Sequence, residues 1–460
     1  MKLAEYPEYT ATGEKWFRSI PSHWRTLPLY AVAKTKSVSN CVDRELLSVY
    51  LDLGVIRFSD IKEKRTNATS EDLSKYQAVD PGDFVLNNQQ AWRGSVGVSK
   101  YSGIVSPAYL VLDVRNDLDP SYANFLFRDR RMVSQYLVCS KGVGSIQRNL
   151  YWPHLKRVTI VIPPTDEQVH IAKVAKGKTI QINKFIRNKR RLIELLKEQK
   201  QNVINQAVTR GLDPKVKFKP SGVEWIGDIP ERWDVRRLKY LLREVDERSK
   251  TGEEQHLSMS QKHGGLVSSS EIEERRLMSD SYAGGKLCKL GDIVLNRLKA
   301  HLGVFSHAPC GGVISPDYSV FRAIADIEPV YYEYLLRSTV IRHELRIHCK
   351  GIVEGFWRLY SDDFLSLKVP VPQRDEQLEI VKGIEERFLT IDQTIARTER
   401  EIELMREYRT RLISDVVTGQ VDVRGIEVPE VAEDELLALD EDTSEADDVI
   451  DDEGDMDETD

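Results

Sequence analysis

Residues suited to nucleic-acid contact gather at matched places in the two halves of this 460-residue chain. After PGDFVLN (Pro81 to Asn87) and Asn88 comes QQAWRGSVGVSKYSG, with Gln89 and Arg93. After LGDIVLN (Leu290 to Asn296) comes RLKAHLGVFSHAPCGG, with Arg297, Lys299 and His301. A second gathering follows a paired Lys-Gly: Lys141, then Gln147 and Arg148 in VGSIQRN; Lys350, then Arg358 in IVEGFWR. Arg and Lys hold phosphates and pair with guanine edges, and Gln and Asn read adenine edges. Glycine lets loop backbone approach a ligand closely. Any one such loop is an ordinary solvated turn; recurrence at matched positions makes these candidate DNA contacts.

Catalytic patterns are missing from the sequence. No GxxxxGK[ST], GxGxxG after a strand, HExxH, Gly-x-Ser-x-Gly elbow or Asn-Pro-Pro-aromatic run occurs. The nine histidines lack ligand spacing, and the five cysteines (Cys41, Cys139, Cys288, Cys310, Cys349) form no CxxC pair. The sequence therefore predicts reduced thiols, no metal site and no cofactor.

The elements that must position these loops are written twice. IPPTDEQ at Ile162 to Gln168 returns as VPQRDEQ at Val371 to Gln377, 209 positions on. WFRSIPSHW at Trp16 and WIGDIPERW at Trp225, GIVSPAY at Gly103 and GVISPDY at Gly312, and Thr209 and Thr418 keep the same offset. A period this long is a domain duplication, since solenoid repeats run to tens of residues. Each copy opens with short apolar runs broken by Gly, Pro, Asn and Asp, interspersed with helical stretches, so a mixed α/β (α+β) head is expected.

Each copy closes on a long helix. Prolines tolerated in a first turn, a Thr or Asp that can cap and the carboxylates of Asp-Glu fit a helix N-terminus. Heptad a/d slots from Ala175 to Ala207 are apolar at seven of ten positions; the slots 209 residues later, Ile384 to Val416, at eight. Such a seam calls for a partner helix, and the other copy supplies one. Polar slots at Lys189, Lys200, Thr398 and Arg409 fix register at some cost in stability. Two antiparallel helices of about 40 residues, on the order of 60 Å long, would relate the heads by a pseudo-two-fold axis and hold them apart.

Charge divides unevenly. Of 73 acidic residues, 18 lie from Glu427 to Asp460, where no Lys or Arg occurs; the remaining 55 face 66 Lys and Arg, so the body carries +11. The tail reads as disordered and solvating, with competition against DNA phosphates for the basic body as the sharper alternative. No run of 18 apolar residues exists and the first residues lack signal-peptide order, so a cytoplasmic protein with no membrane association is expected.

The phrase SGVEWIGDIPERWDVRRLKYL, its cousin at Trp16 and the PP-x-x-EQ-like start of each long helix resemble the specificity subunits of Type I restriction-modification systems. The resemblance spans about residues 16 to 424 and excludes the tail. It implies two target-recognition domains that each bind half of a bipartite, asymmetric double-stranded DNA site, with the helices as ruler and docking stalk. It further implies partners: methyltransferase subunits, two in number, which carry S-adenosylmethionine, and ATP-using restriction subunits. Lys189, Arg190, Arg191, Arg397, Arg400 and Glu401 become candidate subunit contacts. The expected division is 1–164 for the first domain, 165–212 for the first helix, 213–373 for the second domain, 374–422 for the second helix and 427–460 for the tail. Two other readings stay open: a stand-alone DNA-modifying enzyme with a divergent site, and a coiled-coil adaptor.

Overall fold

The computed structural model describes residues 4–51, 53–60, 72–115, 117–143, 147–260, 265–269, 282–351 and 357–427. The acidic tail beyond 427 and most of the loop segments VGSI and IVEGF lie outside them. Two compact units divide the chain: residues 1–189 with 400–460, and residues 190–399.

The first unit centres on a four-stranded antiparallel sheet in the order Ala33–Lys36, Tyr109–Val114, Phe84–Asn87, Val96–Val98. Phe84, Val85 and Leu86 of its GD-x-VLN strand are wholly buried, as befits a strand covered on both faces. The second unit repeats the sheet with Leu242–Val245, Tyr318–Ala323, Ile293–Asn296 and Phe305–His307. Register is preserved as well: Tyr109 opposite Asn87 and Val111 opposite Lys36 become Tyr318 opposite Asn296 and Val320 opposite Val245.

Burying the Asp of that motif requires a cation, and the two units find it on different strands. Asp83 takes the Lys36 ammonium at 2.5 Å, whereas Asp292 holds Arg322 through two bonds of 2.9 and 2.8 Å. Each carboxylate also accepts a turn amide, from Asp80 or Lys289.

The repeated Asp-Glu-Gln phrase begins helices Thr165–Arg210 and Arg374–Val417, of 46 and 44 residues. At 1.5 Å per residue they are about 69 and 66 Å long. The glutamine explains the phrase. Gln168, 1% exposed, accepts the Asp119 amide at 2.7 Å and donates to the Asp117 and Pro163 carbonyls. Gln377 accepts the Glu328 amide at 2.8 Å and donates to Pro372. Asp119 and Glu328 cap the head helices Pro120–Phe127 and Pro329–Arg337, so each glutamine joins a long helix to its head.

A second clasp involves the far end of the other long helix. In the first unit Tyr122 donates to the Val417 carbonyl at 3.0 Å; in the second Tyr331 donates to Val208, also at 3.0 Å. Each head thus sits between the start of one long helix and the finish of the other.

That arrangement requires antiparallel helices, and the polar seam positions display them. In the first unit Lys189 pairs with Glu401 at 2.7 Å and Arg409 donates to Asn183 at 2.6 Å. In the second, Lys200 pairs with Asp392 at 2.8 Å, while Leu212 packs where a Cβ on Gly383 would lie. Thr179 and Thr398 return their hydroxyls to their own helices. Every a/d slot from Ala175 to Ala207 and from Ile384 to Val416 is buried or half-buried. The described part of the chain is therefore mixed α/β, two β-rich heads with two long helices packed together.

Candidate recognition site

In the first unit the GD-x-VLN strand runs into a 3-10 turn, Ala91–Arg93, ended by Gly94 at φ +110°. This left-handed conformation suits glycine and brings the turn against Val133 of helix Arg130–Cys139. Trp92 stands on the turn, its indole N–H donating to the Gln89 carbonyl at 2.9 Å. The Arg93 guanidinium lies 4.7 Å from the Trp92 ring centroid and that of Arg148 5.8 Å. Arg148 arrives on the hairpin Ser140–Val143 with Gln147–Leu150, in which Lys141 faces Asn149 and Gln147 faces Val143. Leu150 ties the hairpin to the turn by donating to Asn88 at 3.0 Å. Gln89, Arg93, Lys141 and Arg148 thus belong to one turn-and-hairpin assembly; the side chain of Gln147 is outside the described part.

The second unit builds the same assembly from other residues. Its 3-10 turn is Ala300–Leu302, ended by Gly303 at φ +78°. His301 occupies the position of Trp92, and Trp357 that of Arg148. The His301 ring meets Trp357 edge-on at 5.1 Å, and Arg346 covers the indole at 4.7 Å. Burial, then the Arg346 charge, depresses the His301 pKa, which favours neutral imidazole. Its Nδ1 is buried without a partner among the described residues, as is Nε of Arg148.

The aromatic group and its companion have therefore exchanged sides between the copies, while the cation-on-indole arrangement persists. The sequence reading named Arg93, Arg148 and His301 of these contacts and did not single out Trp92, Trp357 or Arg346. Aligning positions 92 with 301 and 148 with 357 would have exposed the exchange.

The other candidates of the second unit are more committed. Arg297 donates to the Asp317 carbonyl at 2.7 Å and accepts Leu359 through its own carbonyl at 3.0 Å. Lys350 pairs with Asp363 at 2.7 Å, and its backbone bridges to that of Arg358, the position where Lys141 meets Asn149 in the first unit. Lys299 precedes the 3-10 turn and is half-buried.

On the long helices Lys189 and Glu401 pair with each other across the seam, and Arg191 pairs with Glu194 at 2.9 Å on its own helix. Arg397 and Arg400 are exposed, and Arg190 is half-buried.

Among the described residues no cluster of His, Cys, Asp and Glu could hold a metal ion, and no helix is long and apolar enough to cross a membrane. All five thiols are free; burial pushes Cys288 up to about 11, which leaves it an inert thiol.

A duplicated α/β head, clasped to paired long helices, carries unlike residues at one matched turn-and-hairpin contact. No family model matches the chain. The MjaVIII specificity subunit of a Type I restriction enzyme from Methanocaldococcus jannaschii is 24% identical over 88% of this chain and 95% of its own length. A second protein of that organism, the putative MjaX specificity subunit, is 23% identical over 77% and 81%. Among solved structures, a chain from work on assembly and conformational transition of the type I R-M system superposes with a TM-score of 0.60 at 14% identity, over 87% of this chain and 99% of that one. The HsdS subunit from Thermoanaerobacter tengcongensis gives 0.50 at 15%, over 87% and 98%. Over most of its length the chain is similar to specificity subunits of Type I restriction enzymes, and it shares the fold of the HsdS subunit.

Proposed function

We propose that this chain directs a Type I restriction-modification complex to a bipartite, asymmetric DNA sequence, each head reading one half. The observation that carries the division is the contact between each 3-10 turn and its neighbouring segment: one scaffold, with Trp92 and Arg148 in one copy and His301 and Trp357 in the other. Two heads alike in frame and unlike in contact residues give two different half-sites.

In this reading residues 1–164 and 213–373 are the target-recognition domains, 165–212 and 374–422 the spacer helices, and 427–460 an accessory tail. Gln89, Arg93, Lys141, Gln147 and Arg148 serve one half-site; Arg297, Lys299, His301, Lys350 and Arg358 serve the other. Arg297 and Lys350, held by Asp317 and Asp363, support their loops. Two methyltransferase subunits supply S-adenosylmethionine chemistry, restriction subunits supply ATP-driven translocation and cleavage, and the exposed helix faces around Arg191, Arg397 and Arg400 meet them.

Selection of duplexes from a random pool by the chain with its methyltransferase partner tests the reading. Enrichment of two short conserved blocks separated by a fixed unspecified gap is expected. One uninterrupted block, or no enrichment, would overturn it.

A further inference from the structure

An open cleft of about 700 Å³ in the first unit is lined by Tyr30, Lys34, Trp152, Lys156 and Arg157, together with Ala33 and Thr35. No acidic side chain lines it. Lys34, Lys156 and Arg157 form no ion pair among the described residues; Asp113, opposite Lys34 in the strand ladder, does not engage it. Three unneutralised cations around one recess repel each other and gain from an anion placed among them.

The cleft has a firm frame. Tyr30 donates its amide to the Lys156 carbonyl at 3.0 Å, and Leu29 donates to Val158 at 2.9 Å. Short helix Trp152–Leu155 leaves the recognition hairpin after one intervening residue, Tyr151, and packs on the same helix, Arg130–Cys139, that supports the 3-10 turn. Tyr30 is 55% exposed and Trp152 half-buried, so two flat apolar faces stand beside the charges.

The second unit repeats it only in part, with Lys239 and Arg243 at the positions of Tyr30 and Lys34. Positions 209 residues on from Trp152, Lys156 and Arg157 are Ser361, Leu365 and Ser366, and the counterpart of Thr35 is Glu244, which accepts a bond from Ser319.

We propose that the cleft is an auxiliary phosphodiester site, resting on the DNA-reading function above. Lys34, Lys156 and Arg157 take phosphate oxygens of duplex flanking the half-site served by the first head, and Tyr30 and Trp152 lie against the sugars. Such contacts strengthen binding without adding sequence information. They make the complex grip one flank of its target more firmly than the other.

The test compares wild-type chain, in complex with its methyltransferase partner, with Lys34→Ala/Lys156→Ala/Arg157→Ala on the selected target duplex and on a random duplex of equal length. At about 0.9 per phosphate contact, the plot of log affinity against log salt should become shallower by about 2 to 3. Affinity should fall by the same factor on both duplexes, leaving their ratio intact. The variant Lys34→Arg/Lys156→Arg, which retains charge, should keep the wild-type slope, and a wild-type melting curve for the alanine variant excludes misfolding as the cause. An unchanged slope in the alanine variant, or a collapse of the target-to-random ratio, overturns the cleft proposal alone. A wild-type ratio of one overturns the DNA-reading function and the cleft with it.

Discussion

Gln168 and Gln377 carry more of the architecture than their polarity suggests. Each is 1% exposed and spends its amide on carbonyls and amides at the junction of head and long helix. Leucine has nearly the same volume, but Gln168→Leu leaves the Asp119 amide and the Asp117 and Pro163 carbonyls without that partner. Unsatisfied buried groups cost about 1 to 3 kcal/mol each. Gln168→Leu should lower stability by on the order of 2 kcal/mol or more, read as the urea midpoint, while exposed Gln199→Leu should leave it within about 0.5 kcal/mol. Equal midpoints for the two variants would mean that the clasp is not stabilising. Function at this scale was partly legible. The phrase containing the glutamine was visible as a repeat, but its role was not, because its partners lie about 50 positions away in a segment with no resemblance to it. Trp92 and Trp357 were hidden for a similar reason: their companions, Arg148 and His301, are distant in sequence.

Within elements, the second head replaces one neutral contact of the first with a titrating one. In the first unit Asn124 accepts the Val98 amide at 3.0 Å; in the second, Glu333 occupies the Asn124 position and accepts the His307 amide at 3.1 Å as well as the His307 ring. Arg337 adds a bond to the same carboxylate at 2.8 Å. The hydrogen bond to Glu333 raises the His307 pKa above 6.5. Burial opposes ionisation of Glu333, but its bonds from His307 and the charges of His307 and Arg337 prevail and hold it below 4.5. The histidine contribution is therefore complete below pH 6.5 and is lost as pH rises through the raised value. The glutamate contribution is present above 4.5 and lost as pH falls through the lowered one. Glu333→Asn/His307→Val imports the pairing of the first head. Its stability deficit should be greatest between about pH 4.5 and 6.5 and should narrow toward pH 8.5 in melting curves; a deficit independent of pH would refute the coupling. Elements were the most legible level in the sequence. Heptad slots gave both long helices and their shared seam, since a 3.5-residue period is a local signal. Short strands gave the heads only as a class, because pairing such as Arg25–Pro28 with Thr159–Ile162 joins segments more than a hundred residues apart.

For the whole molecule, duplication supplies two reading frames and sequence divergence supplies two contents. The exchange of Trp92 and Arg148 for His301 and Trp357 is the physical form of that divergence. Polar seam residues fit the same plan: Lys189 with Glu401 in the first unit and Lys200 with Asp392 in the second fix the register of the paired helices. The basic body suggests DNA from charge alone, yet charge does not say which cations share a neighbourhood; only the fold sets Lys156 and Arg157 in the cleft and Arg148 beside Trp92. The central claim, one half-site per head, is tested most directly by sequencing methylated adenines genome-wide in cells carrying Trp92→Ala/Arg148→Ala or Arg346→Ala/Trp357→Ala in place of the native chain. The account predicts that each pair relaxes the methylated motif in one block only, a different block for each, with the gap unchanged. Relaxation of both blocks by either pair would contradict it.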